Sequence, residues 1–531
     1  MFRPRQKNTP AIALMSALFL LATISAGAAP VKLDSGLIEG EAVSEGSNVT
    51  VYRGIPFATP PVGELRWKSP QPVENWEGVR TSTEFSAACP QGPQLAQMMG
   101  ETMSPISEDC LYLNVWTATR EASAKLPVMV WIHGGGLTLG WGHQRGYDGT
   151  HFAERDVVLV SVNYRLGPLG YLAHPALSEE SERGVSGNYG FLDQLEALKW
   201  VQNNIEQFGG DPDTVTIFGE SAGGTSVNAL VASPLSEGLF HRAIAQSPWV
   251  TDTNFAMLSD PLPTVASAEN LGQQWAATIL GSESNTDVLQ ALRAVSSDEI
   301  LEKTGNYAVA VTVDGWFMPD LSENIFARGE QQDVSLMVGT NTDEGTIFLG
   351  ILAFNTPEAF TAGMRALYGE HADKILEIYP AHDMSELNAA KNQLITDTWF
   401  VRGARGMLTG MDNVSSSAFQ YHFTRKSPVP GLGAHHGLEI GYAFDNLNPM
   451  QQQETDRELA SAMIQYWVQF ATTGDPNVDG LPDWPAYETA TDRHLELGDE
   501  IKVGSKYRKE VVDVLNAIHD AQFASGVGEG D

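Results

Sequence analysis

The five residues Gly219-Glu220-Ser221-Ala222-Gly223 form a G-x-S-x-G pattern. The β-branched run Thr214-Val215-Thr216-Ile217-Phe218 precedes it, and the small residues Gly224-Thr225-Ser226-Val227 follow. A serine at a sharp strand-to-helix turn presents its hydroxyl outside the sheet, and flanking glycines let the chain bend there without Cβ clashes. Placed this way, Ser221 is a candidate nucleophile. The Ala222 amide, at a helix N-terminus, could donate to a developing oxyanion. A serine hydroxyl at its own pKa is a poor nucleophile, so a base and an orienting carboxylate must come from elsewhere in the chain. The chemistry this implies is acyl transfer.

A second glycine-rich stretch supports that chemistry. The apolar run Pro127–Ile132 reads as a strand buried on both faces and ends in His133-Gly134-Gly135-Gly136. No G-K-[ST] follows, which rejects a phosphate loop. Glycine amides aimed at a reacting carbonyl oxygen fit better. A nucleophile turn of this kind predicts the chain order Ser, then Asp or Glu, then His. Glu344 and its neighbour Asp343 follow the apolar strand Val334–Gly339, and His435 and His436 lie in a loop after the alternating strand 418–424. No H-E-x-x-H or Cys/His cluster is present, so neither metal nor cofactor is called for.

The elements that must position these groups alternate. Buried strands at 127–132, 157–162, 214–218 and 243–247 are separated by helical stretches, with an apolar stripe (Leu192, Leu195, Leu198, Val201, Ile205) in the helix 188–208. This rhythm predicts an α/β fold, a large and mostly parallel sheet with helices on both faces. Residues 251–333 and 357–408 read as helical cap insertions within one domain spanning 29–523, with a flexible tail at 524–531. The first 28 residues have a basic start (Arg3, Arg5, Lys7), an apolar run from Ala11 to Ile24 and small residues before Ala29, the pattern of a signal peptide. Export to the periplasm or medium follows. The two cysteines, Cys89 and Cys110, can then pair across a loop of about 20 residues, worth about 3 kcal/mol. A net charge of −34, from 32 basic and 66 acidic residues, repels phosphate backbones and so disfavours nucleic acid. No later stretch is long and apolar enough for a membrane span. A small molecule fits the serine chemistry as partner, and no sequence pattern speaks to oligomeric state.

Across nearly the whole chain after the leader, from Gly54-Ile55-Pro56-Phe57-Ala58 to Trp484-Pro485-Ala486-Tyr487, the sequence resembles the type B carboxylesterase and cholinesterase family of α/β-hydrolases. The resemblance rests on Glu108-Asp109-Cys110-Leu111-Tyr112-Leu113-Asn114-Val115, His133-Gly134-Gly135-Gly136, Asn163-Tyr164-Arg165, Phe208-Gly209-Gly210-Asp211-Pro212 and Gly219–Gly224. Asp343-Glu344-Gly345 and His436-Gly437-Leu438-Glu439 complete it. It implies a serine esterase with Ser221 as nucleophile, His436 as base and acid, and Glu344 as the orienting carboxylate. Gly135, Gly136 and Ala222 would form the oxyanion hole, with Glu220 and Ser226 in supporting roles and Cys89–Cys110 as the first family disulfide. His436 is preferred to His435 because the family pattern is His followed by Gly. The loop Pro90–Asp109 contains no aromatic residue, and Leu137 stands where the family commonly has Phe. A quaternary ammonium site made from an aromatic face in that loop is therefore not expected, which disfavours choline esters. Trp249, Trp316, Phe317, Trp399 and Phe400 are candidate pocket residues. A non-catalytic relative on the same fold, a lipase and a carbamate hydrolase are the competing readings.

Overall fold

A computed structural model describes residues 29–251, 254–262, 265–281, 287–304, 307 and 309–526. The predicted signal peptide lies outside the described residues, as do residues 527–531 of the expected tail.

An eleven-stranded sheet dominates the molecule. Its strands, in chain order, are β1 (Glu41–Ala42), β2 (Thr50–Pro56), β3 (Tyr112–Thr117), β4 (Leu126–Ile132), β5 (Val158–Val162) and β6 (Gly210–Glu220), followed by β7 (Arg242–Gln246), β8 (Ser335–Asn341), β9 (Ala418–Phe423), β10 (Arg493–Leu497) and β11 (Ile501–Ser505). They lie in the order β11-β10-β9-β8-β7-β6-β4-β5-β3-β2-β1. The block from β10 to β5 is parallel, and antiparallel strands close both edges. This is the expected α/β-hydrolase architecture.

Alternation along β4 explains why both faces are covered. Val128, Val130 and Ile132 pack in one core with helices α1 (Tyr189–Asn204) and α2 (Ala222–Ala232). Met129 and Trp131 point the other way, into a second core. There they meet Phe218 and the helix Glu454–Thr473 through Leu459, Met463 and Trp467. A strand buried on both faces reads in sequence as a continuous apolar run, because side chains of both parities must be apolar. That long helix starts with a reciprocal cap between Gln453 and Asp456 and stops at Gly474, whose φ of 83° an L side chain would resist.

Several elements escaped the sequence reading. The start of the described chain forms two short antiparallel strands, Val31–Lys32 and Leu37–Glu39, broken where Leu33 N–H donates to the Gly36 carbonyl. The insertion at 251–333 is not purely helical, since Phe255–Met257 and Val311–Val313 pair as a small parallel sheet. The second insertion contains α3 (Met384–Ile395), which passes through a π-helical turn at Thr396–Val401 into α4 (Arg402–Gly410). The helix Lys509–Gly526 continues past the point where a flexible tail was expected to begin. Cys89 and Cys110 form a disulfide, both sulfurs in the core. Among the described residues no helix is long and apolar enough to cross a membrane. The disulfide is consistent with an exported protein.

Candidate active site

Ser221 caps α2 with φ 58° and ψ −120°, a conformation an L residue adopts only where its surroundings impose it. The constraint is visible on both sides. Ser221 N–H donates to the Gln246 carbonyl at the end of β7 (2.9 Å), and Thr225 N–H returns to the Ser221 carbonyl (2.8 Å). The flanking glycines do less bending than sequence reasoning supposed. Neither Gly219 nor Gly223 has positive φ; both are needed because backbone lies against them. A Cβ on Gly223 would stand 2.0 Å from the Ile132 carbonyl oxygen, and one on Gly219 2.6 Å from the same atom. The strain sits on the serine, and the glycines allow the elbow to press on β4.

The glycine loop that leaves β4 rests on this elbow, since a Cβ on Gly134 would lie 3.1 Å from Ser221 Cβ. Gly135 (φ 110°) and Gly136 (φ 64°) hold left-handed conformations. The Gly135 carbonyl accepts from the amides of Thr138 and Leu139, while the amides of Gly135 and Gly136 donate to nothing among the described residues. Both glycines are half-buried, and their unpaired N–H groups accompany the free first amide of α2, at Ala222. His133 anchors the loop: its ring stacks on Tyr164 at 4.4 Å, and Tyr164 donates its hydroxyl to the His133 carbonyl (2.7 Å). Burial lowers its imidazole to about 4, so it is a neutral structural residue.

Glu344 follows β8 and His436 lies in the loop after β9. A bridge between Asp343 and His435, with Asp343 N–H donating to Ala434 (3.0 Å), ties the two loops together. His436 Nδ1 then stands 2.6 Å from Glu344 Oε2, with Glu344 fully buried and His436 8% exposed. The other carboxylate oxygen, Oε1, accepts from Ser247 Oγ and from the Asn341 amide, both at 2.6 Å. Glu344 is thus fixed at both oxygens. The neighbours stay out: His435 turns its Nδ1 to the His436 carbonyl, and Asp343 accepts from Ala434 and Asn392.

The far side of the imidazole is less settled. His436 Nε2 is 3.1 Å from Glu220 Oε1, close enough for charge interaction, yet neither atom has an aligned hydrogen-bond partner. Half-buried Ser221 makes no side-chain hydrogen bond among the described residues, so the serine–imidazole link is open here. Catalytic hydrogen bonds commonly tighten only with substrate bound. Glu439, unassigned by sequence reasoning, is a third buried carboxylate beside this ring and accepts from Asn341 Nδ2 (2.6 Å) and Gln246 Nε2 (3.2 Å). Burial pushes Glu220 up to about 8 against the pull of the His436 cation, with Glu439 and Glu344 adding repulsion. Burial alone would lower His436, but the carboxylates of Glu220, Glu344 and Glu439 outweigh it and raise the imidazole to about 9. Ser226 takes no part in this network; it donates to the Ala222 carbonyl (2.9 Å) and accepts from Gln194 (3.0 Å).

Aromatic rings roof the imidazole. Phe400 lies 4.6 Å and Phe348 5.1 Å from it, centroid to centroid, and Trp399 packs on Phe348 and Trp249. The π-helical turn presents Trp399 and Phe400 side by side on this surface. Of the other pocket candidates, Phe317 stacks on Phe191 in the core and Trp316 packs under Arg183. Phe348 went unnoticed because nothing in its local pattern separates a site aromatic from a core one.

Comparison with known proteins agrees with this geometry. The Carboxylesterase family profile matches residues 28–515. Fumonisin B1 esterase of Sphingopyxis macrogoltabida is 38% identical over 469 residues, 86% of this chain and 84% of that protein. Para-nitrobenzyl esterase of Bacillus subtilis is 34% identical over 478 residues, covering 86% and 93%. Cocaine esterase of Oryctolagus cuniculus is 35% identical over 522 residues, covering 90% and 93%. A solved PNB esterase structure superposes with a TM-score of 0.77 at 32% identity, over 92% of this chain and 99% of that one. The chain belongs to the carboxylesterase family and is an enzyme of its carboxylic ester hydrolase type.

Proposed function

We propose that Ser221, His436 and Glu344 act as a catalytic triad that hydrolyses small or medium neutral carboxylesters through an acyl-enzyme. The observation that carries this reading is the 2.6 Å contact between His436 Nδ1 and Glu344 Oε2 inside the protein. A buried carboxylate held on its other oxygen by Ser247 and Asn341 fixes the imidazole tautomer, so that Nε2 is left to take a proton. Ser221 Oγ attacks the ester carbonyl carbon as His436 accepts its proton. The carbonyl oxygen gathers negative charge before the amides of Gly135, Gly136 and Ala222. His436 returns the proton to the departing alkoxide, which leaves as alcohol. Water, deprotonated by the same imidazole, then attacks the acyl carbon, and the acid and free serine are restored.

The aromatic roof supports an apolar ester as substrate, and the acidic surface disfavours anionic ones. The relatives are named for fumonisin B1, para-nitrobenzyl and cocaine esters, which supports a site tolerant of varied xenobiotic alcohols. In this reading the chain is exported and loses residues 1–28. The test is a p-nitrophenyl ester series of increasing acyl length on wild type and Ser221→Ala. Wild type should turn over short and medium chains while the variant falls to background; equal rates in both would refute the proposal.

A further inference from the structure

We propose a second small-molecule site, distinct from the triad, that takes a neutral apolar compound carrying one hydroxyl or carboxamide. A cavity of about 240 Å³ lies along α2 on the side away from β4. Its apolar wall includes Val250, Phe255, Phe326 and Met407, while Glu323, Asn516 and Asp520 stand exposed at its mouth. Asn228 lines it as well. That residue is 1% exposed, and neither its Nδ2 nor its Oδ1 has a hydrogen-bond partner. Leaving both ends of a buried amide unpaired is costly, so such groups normally meet protein, water or ligand. A hydroxyl or a carboxamide both donates and accepts, which is the complement of an unpaired amide. A carboxylate would satisfy only Nδ2, and the one cation among the described lining residues, Arg402, is already paired with Glu323. The volume is below the roughly 300–1,000 Å³ of sites for drug-sized ligands, which limits the occupant to a small molecule.

The site is built beside the active site without overlapping it. Asn228 lies seven residues beyond Ser221, about 10 Å along the same helix. Val250 follows Trp249, whose carbonyl accepts from Thr225 Oγ1 (2.8 Å), and Met407 sits on α4, the helix that continues the turn carrying Trp399 and Phe400. Gly406 lines the cavity at an exposed position where an added Cβ would meet nothing within 4 Å, so this helix can carry a larger residue there without a clash.

The experiment is calorimetric titration of the full chain with benzyl alcohol and with toluene, which lacks the hydroxyl. Wild type should prefer benzyl alcohol by about five- to thirty-fold, the effect of one or two hydrogen bonds. Asn228→Leu should abolish that preference, and Gly406→Met should weaken both probes while leaving p-nitrophenyl acetate turnover unchanged. Titrations in which neither substitution alters benzyl alcohol binding, or in which wild type binds neither probe, would overturn the proposal. Loss of both probes in a Gly406→Met protein whose thermal unfolding matches wild type would support it even where Asn228→Leu fails to fold.

Discussion

Glu220→Gln should move the acid limb of the pH–rate profile to lower pH. Glu220 Oε1 is 3.1 Å from His436 Nε2, and a full unit charge at that distance attracts the imidazolium by on the order of 5 kcal/mol at an effective dielectric of about 20. At about 1.4 kcal/mol per pKa unit, this would be a shift of nearly four units if Glu220 were always ionised. It is not, because burial pushes its own carboxyl up to about 8, so near neutrality it holds a proton much of the time. The two groups titrate as a pair, and the expected displacement is about one to two units. The sign follows from the mechanism. In the proposed mechanism His436 works as a neutral base, and its imidazole is raised to about 9, so activity should be lost as pH falls through that value. Removing the anion lowers the value and carries the limb down with it. Glutamine keeps the shape, which matters because a Cβ on Gly134 or Gly437 would already lie 2.9 and 3.3 Å from the Glu220 oxygens. The assay is kcat/KM for ethyl acetate by pH-stat from about pH 5 to 10, with thermal unfolding as a check on folding. An acid limb that stays in place, or moves upward, would refute the electrostatic argument.

Further consequences can be measured on single variants. Ser221→Ala, Glu344→Ala and His436→Ala should each cut kcat by about 10⁴- to 10⁶-fold, with the double variants little worse than the singles. Ser247→Ala removes one of three hydrogen bonds to Glu344 and should cost on the order of 2 kcal/mol in transition-state stabilisation, read as a fall of about thirtyfold in kcat with little change in KM. Asp193→Ala strands Arg165, which is 3% exposed and bonded to both oxygens of that carboxylate, and should destabilise the protein by about 3–5 kcal/mol in denaturant unfolding. Replacing Cys89 and Cys110 together by serine opens a loop whose ends are 21 residues apart and should cost about 3 kcal/mol by the same measurement.

The parallel centre of the sheet was legible because strands buried on both faces must be almost wholly apolar, as Val157–Val162 is, with Ser161 its one polar residue, accepting from Asn114. The edges were not. Strand β11 has no fully buried residue, so its five residues carry no apolar signature, and its partner β10 mixes Arg493, His494 and Glu496 with leucines. Strand β10 takes its place from pairing with β9, and β11 from pairing with β10. At the site, Ser221 could be proposed from its turn pattern, whereas Glu344 over Asp343 and His436 over His435 rested on the family resemblance. Glu439 and Ser247 could not be assigned from spacing. Both matter through contacts made by side chains from distant strands: Gln246 and Asn341 on one, the Glu344 carboxylate on the other. Glu439 did sit in the quoted run after His436, but a glutamate there looks like any solvated charge until the fold buries it.

That burial also explains why the site needs so many neutral donors. Three carboxylates, Glu220, Glu344 and Glu439, share one imidazole in the interior of a chain whose net charge is already −34. One cation cannot balance three anions, and burying an unpaired carboxylate costs several kcal/mol. Glu344 lowers that cost with hydrogen bonds from Ser247 and Asn341, and Glu439 does so with bonds from Asn341 and Gln246. Glu220 has no such donors at Oε1, and burial raises its carboxyl to about 8, while burial and the repulsion of Glu344 raise Glu439 as well. The carboxylate with the weakest support is therefore the one adjacent to the candidate nucleophile and within reach of Nε2. In the proposed mechanism the imidazole becomes a cation during acyl transfer, and a Glu220 that has already lost its proton to solvent holds the balancing charge beside it.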